Sequence, residues 1–201
     1  MEMNSRTDSR LENFRNGFLN ANSWEQRKDG PPLYLLDELT EDERKIAAKE
    51  LCNAAGPGDS WPVAGLGHLR STESLPKLYR LLSQGGPGFK IAVAHSIFLI
   101  SGDRTVIKVV LDEAAKIHYL SELIDTLYLL PDFRDEKINE LLARLRNHPE
   151  YLIAYNATRA LGLPTDTVVQ KFRGKAAERN NNSEKRQTSS APWWKKLLGL
   201  E

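Results

Sequence analysis

Apolar residues along this chain recur at helical spacing in short blocks, and the blocks are separated by glycine, proline and aspartate. Leu69, Leu99, Leu129 and Leu161 each fall near the end of such a block, about one helical-repeat length apart. After each of the first three comes a short break and then a second amphipathic stretch. That pattern predicts stacked helix pairs, an all-α α-solenoid with a right-handed superhelical path. The predicted pairs are Ser60–Leu69 with Glu73–Leu82, Phe89–Ile100 with Thr105–Ala115, and Tyr119–Leu130 with Asp135–Arg146. A fourth unit runs from Glu150 to Leu161, with 165–172 as a shortened second helix. The stretch 91–100 is apolar almost all round, as a central buried helix should be. A buried strand is the alternative reading; the length and the helical neighbours favour the helix.

Upstream of the pairs, Leu11, Phe14 and Phe18 share a helical face and predict a helix over 8–21. Asp29-Gly30-Pro31-Pro32 breaks it, because two prolines fix φ and remove two donors. Thr40-Glu41-Asp42-Glu43 reads as a capping box, with three acids in the first turn to suit the helix dipole. Ile46, Ala47, Leu51 and Ala54 continue that helix, and Gly56-Pro57-Gly58 ends it. Pro62 and Pro76 lie near helix starts, where proline does least harm. Gly65 and Gly67 are unfavourable in a helix interior, so a neighbouring backbone is expected to pass close to them. Gly85-Gly86-Pro87-Gly88 reads as a hinge between pairs. The resulting organisation is an N-terminal helical extension over 1–38, a repeat domain over 39–172, and a mobile basic tail over 173–201 ending in a short amphipathic segment.

Two segments carry a resemblance. WPVAGLGHLRSTESLPKLYRLL at 61–82 and YLIAYNATRALGLP at 151–164 resemble HEAT-like repeats, in which a small-residue first helix precedes a second helix opening with L-P-x-L. The matching positions are Ala64, Gly67 and Leu69, then Leu75, Pro76 and Leu78, and in the last repeat Ala157, Ala160, Leu161 and Gly162. The likeness spans about residues 40–172; the second repeat lacks the proline and the third is rich in leucine. The overall layout also resembles small bacterial HEAT-like immunity proteins. That resemblance implies a non-enzymatic protein-binding module that occludes a cognate toxin. A general adaptor joining cellular proteins is the alternative, and an enzyme on a HEAT-like scaffold a further one.

Composition changes this picture at two points. The 201 residues are 40% hydrophobic and 27% charged with a formal net charge of +1, which suits a globular chain and does not mark a polyanion binder. The charge is uneven: residues 171–201 hold eight Lys or Arg against three Glu, so the tail carries +5 and residues 1–170 carry −4. The single cysteine, Cys52, permits no internal disulfide, fits a reducing compartment and is expected to be a small buried helix residue. The N-terminus shows no apolar signal region, and no run approaches the roughly 20 apolar residues of a membrane span. A cytoplasmic protein is expected.

Candidate chemistry is sparse. His68, His95, His118 and His148 form no recurring His–Glu pairs, no nucleophile has its base nearby, and the glycine-rich segment lacks a phosphate-loop ending. No catalytic residue, metal or cofactor is expected. Trp61 beside Asp59 echoes a glycosylase, but the acidic body argues against nucleic acid as the main partner, whose affinity rests on phosphate neutralisation. The expected partner is a protein, most specifically a toxin domain. Candidate contact residues are Asp37, Glu38, Glu41 and Asp42 around one helix start, and Glu122, Asp125, Asp132, Asp135 and Glu136 around the third pair. Such acids can steer a basic toxin cleft into place. The competing reading is solvated helix faces with i,i+4 pairs such as Asp112 with Lys116. Tyr155 and Arg159 can contact a partner from the last repeat, where Asn156 is expected to satisfy an inter-repeat carbonyl. Trp193 and Trp194 in the tail can dock on the solenoid, on a partner or at an anionic membrane surface.

Overall fold

The computed structural model describes residues 3–174. Among them the fold is all-α: helices and turns with no strand, the one β-type pairing being an isolated bridge between Gly56 and Asp59. The order is α1 (Met3–Phe14), a π turn (Arg15–Leu19), α2 (Trp24–Arg27), α3 (Tyr34–Asp37), α4 (Glu41–Ala54), α5 (Trp61–His68), α6 (Leu75–Leu81), α7 (Pro87–Ser101), α8 (Val106–Ala114), α9 (Leu120–Leu129), a 3-10 turn (Leu130–Phe133), α10 (Glu136–Leu145) and α11 (Tyr151–Ala160). Residues 166–174 are again helical. The chain divides into two compact units at Leu141 and Leu142, inside α10.

In the first unit, the expected helix over 8–21 starts earlier and stops at Phe14, where the backbone widens into the π turn. Leu35 sits against the bare Cα of Gly17 inside that turn, 2.8 Å from where a Cβ would stand, and Phe14 and Phe18 stay buried on either side of it. Two bidentate arginine–carboxylate pairs fasten this segment to α4. Arg10 donates to Glu43 at 3.0 Å, and Arg15 donates to Glu50 at 2.6 Å. Glu43 is buried and has a second task, because its Oε2 accepts from Thr40 N at 2.7 Å and closes the capping box. The Arg10 guanidinium beside it, aided by the Thr40 donors, holds the Glu43 carboxyl below its ordinary value against the opposing effect of burial. At the other end of α4, the Lys77 ammonium caps the Cys52 carbonyl and reaches Asn53 O at 3.3 Å. Cys52 itself is half-buried rather than enclosed.

Helix α5 packs against α4 on one side and α7 on the other. Its glycines explain how. A Cβ on Gly65 would stand 2.9 Å from Leu51 Cδ1 and 3.1 Å from the Phe18 ring; a Cβ on Gly67 would stand 2.8 Å from Ser96 Oγ and 3.0 Å from Ser96 Cα. The expected close approach is therefore made by the α7 backbone at Gly67, and by side chains at Gly65. Ser96 Oγ donates to Val63 O at 2.9 Å, so its buried hydroxyl is satisfied across the seam. Helix α7 is the centre of the unit: it touches α5, α6, α8, α9 and the 3-10 turn, and Phe89 through Ile97 is buried apart from Lys90. The 91–100 stretch is thus helix, not strand. The glycine-rich segment expected to hinge supplies the N-cap and first turn of α7, where Gly88 N donates to Glu122 Oε1 at 2.8 Å.

In the second unit, α11 buries Ile153, Ala154, Ala157 and Thr158. His148 Nδ1 accepts from Glu150 N at 3.1 Å just before the helix starts, and Tyr151 meets the Phe172 ring edge-on at 5.4 Å. Asn156 donates to Leu152 O of its own helix at 2.8 Å, so the carbonyl it serves is one turn back and not in another repeat.

Gly67→Ala forces a Cβ into the α5–α7 seam, where the Ser96 backbone cannot yield. It should destabilise the fold by about 1–3 kcal/mol in urea unfolding followed by circular dichroism, while Gly102→Ala leaves that seam untouched.

Candidate functional site

The chain passes through a left-handed residue after α5, after α7, after the turn that follows α9, and after α11. After α5, Leu69 is followed by Arg70 at φ 54°, Ser71 N donates to Leu66 O at 3.2 Å and Arg70 N to Gly67 O at 3.2 Å. This is a Schellman closure with arginine in the left-handed position that usually holds glycine. After α11 the same two bonds recur, Leu163 N to Thr158 O at 3.1 Å and Gly162 N to Arg159 O at 2.9 Å, with glycine in that position at φ 69°. After α7 the left-handed residue is Gly102 at φ 71°, and after the 3-10 turn that ends α9 it is Arg134 at φ 46°. Positions 70, 102 and 134 are evenly spaced, 32 residues apart. An L side chain in this region costs on the order of 1 kcal/mol relative to glycine, so Arg70 and Arg134 occupy corners where glycine would be more stable.

Both arginines line the same groove in the first unit, with a volume of about 760 Å³. Its apolar wall is Phe98 and Leu99 from α7 and Leu129 from α9; Pro31 and Leu33 close it from the segment before α3. His68 and His95 add two imidazoles, and Asp132 lies among the basic groups. His95 is 8% exposed and packs edge-on against Phe133, their ring centres 5.6 Å apart. Its Nε2 lies 2.8 Å from Asp132 Oδ2. The hydrogen bond from His95 holds the Asp132 carboxyl below its ordinary range, against the opposing effect of burial, and the Arg134 and Arg70 charges act in the same direction. Asp132 is then an acceptor only, so His95 Nε2 carries the proton. His68 makes a parallel contact, its Nε2 2.7 Å from Asp37 Oδ1. Among the described residues, the Arg70 and Arg134 guanidiniums act on Asp132 through space but make no hydrogen bond or close ion pair.

The candidate acids are mostly engaged inside the first unit. Asp37 holds His68; Asp132 holds His95; Asp135 takes Arg104 at 2.6 Å and the backbone N–H of Lys137 at 2.9 Å, capping α10. Glu122 is tied to Gly88, and Asp42 to Lys45 at 3.1 Å. Glu38, Glu41 and Glu136 are exposed and make no ion pair among the described residues. Glu122 and Asp125 line a second, smaller recess of about 400 Å³ at the start of α7, where burial, then the Glu122 charge, pushes the Asp125 carboxyl up. Four of these contacts, His68–Asp37, Gly88–Glu122, His95–Asp132 and Arg104–Asp135, join residues 31 to 37 apart in sequence. The helix-face pair expected of Asp112 is made with Lys108 at 2.5 Å, while Lys116 turns to Glu113 at 2.8 Å. Tyr155 stacks obliquely on Tyr151 at 5.6 Å and Arg159 is exposed, both in the second unit. Asp59 is bound by Arg27 at 3.2 Å and accepts from Trp61 N, and the Arg27 guanidinium covers the Trp61 ring at 4.1 Å, so neither residue is free for base recognition. Trp193 and Trp194 lie outside the described residues.

Sequence reasoning missed Arg70, Arg134 and the apolar wall. The usable signal was the even spacing of the corners, in which two arginines stand where glycine stands at 102 and 162. Among the described residues, no three His, Cys, Asp or Glu side chains gather to hold a metal ion, and no helix is long and apolar enough to cross a membrane. No protein-family model, curated protein or solved structure matches the chain.

Because the folded Asp132 carboxyl titrates below its ordinary value of 3.8, its contribution to stability is complete above that range and is lost as pH falls through the lowered value. Glu43 acts in the same direction from its ordinary value of 4.5. Urea midpoints should therefore hold from about pH 7 to 5 and fall below about pH 4. Asp132→Asn should flatten part of that fall, and an unchanged acid limb would contradict the assignment.

Proposed function

We propose that the chain is a non-enzymatic binding module built from HEAT-like helix pairs: α5 with α6, α7 with α8, α9 with α10, and α11 with the helical residues 166–174. The observation that carries this reading is the corner geometry. The chain takes a left-handed residue after α5, after α7 and after the 3-10 turn that follows α9, at an even spacing of 32 residues, and these three stretches contribute His68 and Arg70, His95 and Phe98, and Asp132 and Arg134 to one groove. The contacts of α7 with both α5 and α9, and cross-links between residues 31 to 37 apart in sequence, support the same reading. A repeat of this kind presents an extended surface to another macromolecule.

The partner in this proposal is a protein, and in its most specific form the module is an immunity protein that sterically occludes a toxin. The exposed Glu38, Glu41 and Glu136, which make no ion pair among the described residues, favour approach of a basic partner on the first unit. The test is affinity capture of the tagged chain from its own cells, with mass spectrometry, a salt titration and a growth-protection assay against the captured protein. One stoichiometric partner bearing a basic catalytic domain, neutralised by the chain, is the expected result. Absence of any stoichiometric partner overturns the binding-module reading; a stoichiometric partner that is not toxic overturns the immunity form alone.

A further inference from the structure

The groove has a chemistry of its own, distinct from the acidic faces. Arg70 and Arg134 are the groups to explain. Each stands in a left-handed corner that glycine would occupy with less strain, and each extends a guanidinium that makes no hydrogen bond among the described residues. Strain held in this way clusters at binding and catalytic sites, because the surrounding structure keeps a side chain where a ligand needs it. Both arginines line the same groove as Asp132, whose carboxylate His95 fixes at 2.8 Å. The same groove holds the apolar wall of Phe98, Leu99 and Leu129.

We propose that the groove binds an acidic peptide segment, in which one aspartate or glutamate carboxylate is gripped by Arg70 and Arg134 and adjacent bulky apolar side chains lie against Phe98, Leu99 and Leu129. This rests on the binding-module reading and names the partner chemistry its groove selects. Guanidinium forks match a carboxylate in geometry, and a charge-assisted hydrogen bond is stronger than one between neutral groups. The volume of about 760 Å³ accommodates several residues. Charge selects peptide over nucleic acid. Two arginines against Asp132 leave a formal +1 with the imidazoles neutral, enough for one carboxylate and too little for a run of phosphates, which Asp132 would repel.

The test selects a random dodecapeptide phage library on the full chain. The expected enrichment is an acidic residue next to Leu, Phe or Trp. The best peptide is then synthesised with a fluorescent label and titrated by anisotropy beside a counterpart in which the acid is changed to its amide. The acidic peptide should bind at least about tenfold more tightly, and Arg70→Gly and Arg134→Gly should each lose about tenfold, the scale of one charge-assisted hydrogen bond. Glycine is the chosen replacement because it suits the left-handed corner, so melting temperatures should be equal to or above that of the unaltered chain. Equal binding of acid and amide peptides, undiminished binding by the glycine variants, or displacement of the peptide by a single-stranded DNA oligomer at lower concentration overturns the proposal. The same variants in the cellular capture separate the two readings. A partner held equally by Arg70→Gly and Arg134→Gly overturns the groove assignment and leaves the module standing, whereas no partner for the unaltered chain overturns both.

Discussion

The first unit depends on how closely α5 and α7 approach at Gly67 and Ser96. Without a side chain at Gly67, the backbone of α7 comes within contact of α5, and the Ser96 hydroxyl closes the seam on the Val63 carbonyl. That approach places α7 at the centre of the unit, where its residues from Phe89 to Ile97 are buried against neighbours on every side apart from Lys90. A helix so enclosed can carry little polarity, and the one imidazole it does carry, His95, is satisfied by Asp132 and packed against Phe133. The seam also shapes the groove: with α5 and α7 fixed side by side, His68 and Arg70 come to the same groove as His95, Phe98 and Leu99.

Around this frame, local stability and surface chemistry pull in different directions at the corners. Gly102 and Gly162 show the unstrained solution to ending a helix in this chain, and Arg70 and Arg134 depart from it at the two corners that line the groove. A sequence chosen for stability alone would be consistent at every level, and departures from that consistency concentrate where function intrudes. The acids tell the complementary story. Asp37, Glu122, Asp132 and Asp135 read in the sequence as an acidic surface, but each holds a histidine, a backbone amide or an arginine 31 to 37 residues away. They act chiefly as cross-links within the unit, and the charge left for a partner is smaller and more local than the sequence count of acids implies.

Legibility followed the range of the interaction. The Thr40–Glu43 capping box, the helix-start prolines, the central helix over 91–100, buried as far as Ile97, and the close backbone approach at Gly67 were all readable, because each is signalled by residues within a turn or two of one another. The π turn at Arg15–Leu19 was not readable, since it answers to Leu35 packing on Gly17 and to the Arg15–Glu50 pair on α4. The partners of Asp112 and Asn156 were misread for a smaller reason: more than one donor or acceptor lies within reach on the same helix, and rotamer packing chooses between them. The groove was hidden because its residues come from five segments, and because an arginine in a left-handed corner looks in sequence like any surface arginine.

The central claim is that α7, seated on α5, is the last element of the first unit to come apart. Native-state hydrogen exchange of the full chain tests it most directly. The account predicts that the amides of Ile91 to Ile97 exchange slowest and only with the free energy of global unfolding, ahead of those in α1, α4 and α8. Exchange of the α7 amides by a local opening, with α4 or α8 still protected, would contradict it.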